Sequence, residues 1–212
     1  MTNDATVFVV DDDEAVRDSV AVLLETAGYR VKAFESGRVF LEQTASLPLG
    51  CALIDVRMPE IDGLALQETL RARGIALPVI IMTGHGDVPM AVRAMRAGAV
   101  DFIEKPFPDE VILDSVARAL NQARERQREA GEAAAVRGRL EALTPREREV
   151  LDQLVLGHPN KVIAINLDIS PRTVEIHRAR VMEKMQARNL SELVRMALSA
   201  SAMPRGGGQH TE

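Results

Sequence analysis

VFVVDDDEAVR, Val7 to Arg17, joins four apolar residues directly to four acidic ones, Asp11, Asp12, Asp13 and Glu14. The apolar run has the length of a buried strand, and Val16, Val20, Leu23 and Leu24 beyond it share one face of a helix. Like charges held this close repel, and setting them beside a core strips their hydration. A stable domain needs a reason to end a strand in such a cluster. On its own, Asp-Asp-Asp after a strand is turn or cap chemistry, so the reason depends on what else arrives at the same place.

Four further apolar runs, RVKAF, CALIDV, PVIIM and VDFIE, alternate with stretches of helical spacing over the next hundred residues. Strands buried on both faces and alternating with helices predict an α/β fold with a doubly wound, five-stranded parallel sheet. In such sheets ligands bind beyond the carboxyl ends of the strands, where the acidic run lies. Asp55 at the third strand, Thr83 after the fourth and Lys105 after the fifth reach the same edge.

Crowded carboxylates become tolerable around a hard divalent cation, and Mg²⁺ is the natural candidate. It would take oxygen from Asp12 and Asp55 directly, from Asp11 through water, and from the backbone carbonyl of Arg57. Such a site suits phosphoryl transfer, in which metal and lysine neutralise charge while a carboxylate attacks in line. Asp55 is the best nucleophile, with Lys105 to pair with phosphoryl oxygens and Thr83 to donate one hydrogen bond to them. Asp13 and Glu14 read as the cap and first turn of the following helix.

VVDDDEAVR, LIDVRMPEIDGL, MTGHGD and DFIEKPF together resemble the receiver domain of two-component response regulators, over residues 5 to about 122. That resemblance implies that Asp55 is the phosphoacceptor, that Asp11 and Asp12 hold Mg²⁺, and that Thr83 and Lys105 read the phosphoryl group. It further implies a cis bond before Pro106 and puts Phe102 at the family's rotameric aromatic switch, although a Phe there is equally a core residue.

The net charge of -5 hides an asymmetry. Residues 1–120 carry 19 acidic and 11 basic groups, a net of -8, whereas residues 121–212 carry 12 and 15, a net of +3. The split predicts different partners, with a polyanion open to the second part. No apolar run approaches a membrane span and no signal-peptide pattern opens the chain, so the expected location is the cytoplasm, with no membrane partner. Cys51 is the only cysteine, which excludes an internal disulfide. With His85, His158, His177 and His210 scattered, a thiolate zinc site is excluded too, and Cys51 reads as a small buried hydrophobe.

From about Glu110 the pattern is one long helix with Val111, Ile112, Val116, Ala119, Leu120 and Ala123 as its inner face. The domains expected are a receiver at 1–123, a solvated helical linker at 124–140, an all-α domain of four short helices at 141–203 and a disordered tail at 204–212. Gly131 and Gly138 would weaken the linker helix by roughly 1 kcal/mol each, and its apolar positions are mostly Ala, a weak coiled-coil seam. LTPREREVLDQLVLG opens the last domain with Thr144 as cap, Pro145 in the first turn and Glu147 three residues on. Ser170 and Pro171 repeat the cap signature, and Ser191 is the candidate cap of the final helix.

NKVIAINLDISPRTVEIHRARVMEKM reads as two helices joined by a tight turn. In the second, Val174, His177 or Arg178, Val181 and Met185 fall on the core face, and Arg172, Glu175, Ile176, Ala179 and Arg180 point outward. A short Ala and an exposed Ile suit close approach to base edges in a major groove, with basic neighbours on phosphate. A stripe of charge alone is also what a solvated face looks like. Residues 141–200 resemble the LuxR-type helix-turn-helix through LTPREREVL, the stretch just quoted and SELVRMAL. By that resemblance Thr173 to about Met185 is the recognition helix, Lys161 and Lys184 contact phosphate, and the last helix is a dimerisation surface. Asp168 stands where many members carry Gly, and Glu175 replaces a frequent basic residue.

The two domains together, with HGDVPMAVRAMRAGAVDFIEKPF and LDISPRTVEIHRA, resemble the nitrogen-fixation regulators of rhizobia. Such a family implies a transcription activator that is not an enzyme. It would be phosphorylated by a haem-containing, oxygen-sensing histidine kinase, would dimerise when phosphorylated, and would act on promoter DNA and RNA polymerase. Other readings are a related regulator of a different regulon, a phosphotransferase or phosphatase cycling an aspartyl phosphate, and a relay protein whose basic helices bind protein.

Overall fold

TVFVV forms β1 (Thr6–Val10), buried along its whole length, and the other runs form β2 (Arg30–Phe34), β3 (Gly50–Asp55), β4 (Val79–Thr83) and β5 (Asp101–Glu104). This is a computed structural model that describes residues 5–201 apart from His85 and Asp87. All neighbouring strands are parallel, in the order β2-β1-β3-β4-β5. Val9 pairs with Ala33 on one side and Leu53 on the other. Strand order therefore reverses at β1, which opens a crevice at the carboxyl ends of β1 and β3.

Alternation along β1 sends side chains to two cores. Phe8 and Val10 join Phe40, Ile54, Leu66 and Ile81 beneath α2 (Gly37–Gln43), α3 (Gly63–Ala72) and α4 (Val88–Arg96). Val7 and Val9 join Leu24, Leu53, Ile80, Val116 and Leu120 beneath α1 (Glu14–Thr26) and α5 (Asp109–Glu141). Cys51 is buried in this second core, and desolvation pushes its thiol up to about 12.

β2 and β5 are the two edges of the sheet, and only Phe34 of the first and Ile103 of the second are buried, which corrects the expectation that every strand is covered on both faces. Val111 is exposed rather than on the inner face of α5, whereas Ile112, Val116, Ala119, Leu120 and Ala123 are buried. Val111 lies one helical step, about 100°, from Ile112.

The chain divides into two compact units, Met1–Gln127 and Arg128–Glu212. α5 is continuous through Gly131 and Gly138. The second unit holds α6 (Pro145–Val155), α7 (Asn160–Asn166), α8 (Pro171–Met185) and α9 (Leu190–Ser201). Its core gathers Leu140, Val150, Leu151, Ile163, Val174, Val181, Met185 and Leu193. α6 starts with a complete capping box, in which the Thr144 hydroxyl accepts from the Glu147 N–H and the Glu147 carboxylate accepts from the Thr144 N–H. Ser170 caps α8 by accepting from the Thr173 N–H at 3.1 Å. At α9 the cap is Asn189 and not Ser191: its Oδ1 accepts from the Glu192 N–H at 2.9 Å. The tail expected to be disordered lies outside the described residues.

Candidate functional site

Three strands deliver the acidic site. Asp11 follows β1, Asp55 ends β3, and both are buried, at 1% and 6% exposure. Lys105 follows β5 and spans them, its Nζ 2.6 Å from Asp11 Oδ2 and 2.6 Å from Asp55 Oδ1. The remaining carboxylate oxygens meet backbone: Asp11 Oδ1 accepts from the Asp13 N–H at 3.0 Å, and Asp55 Oδ2 from the Arg57 N–H at 2.6 Å. The Arg17 guanidinium donates to the Asp11 carbonyl at 2.8 Å, which ties the β1 end to α1.

Local sequence fixes these positions. Asp13 caps α1, its carboxylate accepting from the Ala15 and Val16 N–H groups, so the third aspartate is used up as a cap. Gly63, eight residues after Asp55, lies so close to that strand end that a Cβ on it would sit 2.2 Å from the Asp55 carbonyl oxygen. Its N–H donates to the Val56 carbonyl at 2.9 Å. Any side chain at 63 would clash with the Asp55 backbone, so one of the two segments would have to shift. The Lys105–Pro106 bond is cis.

Burial and pairing act in opposite directions on these charges. Burial pushes the Asp11 carboxyl above its ordinary range, against the pull of Lys105 and the Asp13 N–H, and the Asp55 charge adds to the rise. Burial draws the Lys105 ammonium down, but its hydrogen bonds to Asp11 and Asp55 and their charges outweigh this and hold it above the usual lysine range.

Thr83 is fully buried at the end of β4, and its backbone carbonyl accepts from the Lys105 N–H at 2.7 Å. Phe102 is half-buried on β5 against the first core, and Gly86 comes so near that a Cβ there would meet both Phe102 and Thr83. Asp12 is exposed, as is Arg57. His85 and Asp87, which belong to the MTGHGD stretch, lie outside the described residues.

Two carboxylates converging on one ammonium form a cation-binding geometry. Its donors are hard oxygens, which suits Mg²⁺. Among the described residues no group of three or more His, Cys, Asp or Glu side chains is arranged to hold a metal. The donor set still fits Mg²⁺, an ion that usually keeps several waters and needs only one or two carboxylates.

The helical unit presents a second surface. Arg172, Glu175, Ile176, Ala179 and Arg180 are exposed on α8, opposite buried Val174, Val181 and Met185. Thr173 is half-buried with its hydroxyl 2.8 Å from that of Ser170, and Arg178 donates to Asn160 Oδ1 at 3.2 Å. The α7–α8 turn places Asp168 at a φ of 52°, a left-handed conformation that Asp adopts more readily than most residues. Lys161 is exposed on α7.

Lys184 is paired inside the unit: its ammonium is 2.6 Å from Glu147 Oε2 and donates to the Ala142 carbonyl at 3.2 Å, while 36% of its side chain stays exposed. The partner could not be read from sequence. Glu147 was legible as half of a capping box, but its second bond reaches 37 residues along the chain.

Comparison with known proteins follows the same division. Residues 7–117 match the family model of the response regulator receiver domain, and residues 141–197 match that of the bacterial regulatory proteins, luxR family. The transcriptional regulatory protein FixJ of Azorhizobium caulinodans is 52% identical over 93% of this chain and 94% of its own. FixJ of Bradyrhizobium diazoefficiens is 46% identical over 96% of this chain and 99% of its own. Among solved structures, the response regulator StyR superposes with a TM-score of 0.82 at 39% identity, covering 93% of this chain and all of that one. With both family models matched in order and full-length relatives this similar, the chain belongs to the FixJ-type response regulators, a receiver domain followed by a LuxR-type DNA-binding domain.

Proposed function

We propose that phosphorylation of Asp55 switches this chain into a dimer that activates transcription from promoter DNA. The observation that carries this reading is the Lys105 ammonium 2.6 Å from both Asp11 and Asp55, which joins an acceptor carboxylate, a second carboxylate and a cationic reader in one crevice. Asp55 Oδ1 is the oxygen suited to attack, since its partner is the Lys105 ammonium, which can pass to the phosphoryl oxygens, whereas Oδ2 accepts from the Arg57 backbone N–H. A new P–O bond forms there as the bond to the donor breaks. Asp11, Asp12, Asp55 and the Arg57 carbonyl are the residues to hold Mg²⁺, which when bound neutralises charge on the phosphoryl oxygens. Lys105 then exchanges its carboxylate partners for phosphoryl oxygens, the Thr83 hydroxyl donates to them, and Phe102 follows Thr83. One label per chain is expected, with no turnover of external phosphoesters, so the chain is not an enzyme in its own right.

In this reading the receiver is residues 1–123, the helical linker 124–140 and the DNA-binding domain 141–203. The FixJ resemblance supports a sensor histidine kinase as phosphoryl donor, the haem-based oxygen sensor FixL, and nitrogen-fixation genes as the target in the cytoplasm, with RNA polymerase recruited there. Arg172, Thr173, Glu175, Ile176, Arg178, Ala179 and Arg180 form the face offered to the major groove, and Lys161 contacts phosphate. The experiment is selection of binding sites from random duplexes, with and without beryllofluoride plus Mg²⁺, for wild type and Asp55→Asn. Tight binding to a two-fold site by treated wild type alone is the expected result. Equal binding in all four samples would overturn the switch.

A further inference from the structure

Gln153, His158 and Asn166 form a polar cluster in the helical unit that neither its core nor the α8 face accounts for. His158 lies half-buried in the connection between α6 and α7. Its backbone N–H donates to the Gln153 carbonyl at 3.1 Å, and its ring Nδ1 is 2.8 Å from Gln153 Oε1. The same oxygen accepts from Asn166 Nδ2 at 2.7 Å. An amide oxygen only accepts, so the imidazole donates to it and carries its hydrogen on Nδ1. Nε2 is then the bare nitrogen. Among the described residues the buried side-chain atoms without a partner are Gln67 Oε1, Gln122 Oε1 and His177 Nδ1. His158 Nε2 is unpaired too but is not one of them, so it reaches the surface. Protonation there needs no rearrangement, because the Nδ1–H keeps its bond to Gln153.

The surroundings of the ring suit a phosphate. Arg178 Nη1 donates to Asn160 Oδ1 at 3.2 Å, which ties the start of α7, two residues after His158, to the α8 face offered to the major groove. Lys161 is exposed three residues from His158, and in a helix-turn-helix the first helix crosses the DNA backbone. Gln153 and Asn166, which fix the ring from α6 and α7, are neutral. Asp152 on α6, Lys161 on α7 and Asp168 in the α7–α8 turn are exposed, Arg178 on α8 bonds Asn160, and none of them forms an ion pair with the ring. Resting on the DNA-binding reading above, we infer that His158 is a proton-coupled phosphate contact. Nε2 takes a proton from solvent as the duplex arrives, and the new N–H donates to a backbone phosphate oxygen. Histidine gains its charge between about pH 5 and 8, and the cation suits the polyanion, so affinity for DNA rises as pH falls through that range.

The test uses the full chain, with beryllofluoride plus Mg²⁺ throughout, and a mixed-sequence duplex, since phosphate contacts do not depend on sequence. Between about pH 8 and about pH 6, wild type should gain roughly five- to tenfold more affinity than His158→Gln, because one proton is taken up over part of that interval. The difference between the two proteins cancels what His85, His177 and His210 contribute. The salt slope of the variant should be smaller by about 1 at the lower pH and equal to that of wild type at the higher. A loss of fold would instead weaken binding at both. Long-range ¹H–¹⁵N spectra of the wild-type histidine rings give a second readout that needs no variant. His158 should be a neutral Nδ1–H ring in the free protein at about pH 8 and doubly protonated in the complex at about pH 6. A free ring protonated on Nε2 alone, or a ring still neutral in the complex, would overturn the contact. Equal gains in affinity for wild type and His158→Gln would overturn it while leaving the DNA-binding reading intact, and failure of both proteins to bind at either pH would overturn the two together.

Discussion

Lys105 does for Asp11 and Asp55 what a bound cation would do, but it offsets only part of what burial costs Asp11. Because the folded-state pKa of Asp11 is raised, the folded protein holds its proton more tightly than the unfolded chain does. Asp11 therefore costs stability once pH rises above the ordinary carboxylate range, and the cost persists at neutral pH. Asp11→Asn removes this burden while Lys105 keeps Asp55 as a partner, so the variant should melt a few degrees higher at pH 7. The gain should vanish as pH falls below 3.8, the ordinary value for an aspartate, where the wild-type carboxyl is neutral too. Thermal melts of both proteins between pH 3 and 7 check this, and a variant less stable than wild type at pH 7 would show that pairing outweighs desolvation. Asp11, Asp55 and Lys105 were legible in the sequence because strand ends in a parallel sheet share one edge. The role of Lys184 was not, because helical spacing says which face a residue occupies and nothing about the helix opposite.

Single elements show the same limit and give two further predictions. Runs of apolar residues located all five strands, and Arg30 and Lys32 in RVKAF suit an exposed edge. Which neighbour a strand pairs with is set by the crossover connections, which no single run shows. Within α5, Gly131 and Gly138 are exposed, a Cβ on either would meet nothing within 4 Å, and neither has a positive φ. Gly131→Ala and Gly138→Ala should each stabilise the helix by about 1 kcal/mol, read from urea denaturation followed by circular dichroism. No gain at either site would mean that the helix is frayed there. The Glu147 to Lys184 pair anchors α6 to α8. The hydrogen bond from Lys184 holds the Glu147 carboxyl below its ordinary range, and the Thr144 N–H adds to the effect. A depressed carboxylate contributes stability above its unfolded pKa and loses it as pH falls through the lower folded value. Glu147→Gln should then cost about 1–2 kcal/mol at pH 7, less than a fully buried pair because Lys184 keeps 36% of its side chain exposed. The deficit should shrink below pH 4.5, the ordinary value for a glutamate. A deficit independent of pH would assign the loss to packing rather than to the charge of Glu147.

Across the whole molecule, opposite net charge and separate cores assign the two activities to different parts of the chain. Ile112, Val116 and Leu120 of α5 belong to the receiver core, while Leu140 at its other end belongs to the core of the helical unit. Severing α5 between Gln127 and Arg128, the boundary of the two units, leaves each set of contacts intact. Both fragments should therefore fold. The 1–127 fragment should respond to beryllofluoride and Mg²⁺, and the 128–212 fragment should bind the selected duplex equally with and without them. Binding by the second fragment should weaken with salt, since basic groups on phosphate release counterions. Lys161→Gln should lower the salt slope by about 1, as expected for one lost phosphate contact. Lys184→Gln should leave the slope nearly unchanged and lower the Tm, because its ammonium is held by Glu147 and the Ala142 carbonyl. A mixture of the two fragments should lack the activation seen in the intact chain if control passes along α5. Restored activation in the mixture would instead mean that the phosphorylated receiver acts through a surface able to work without a covalent link.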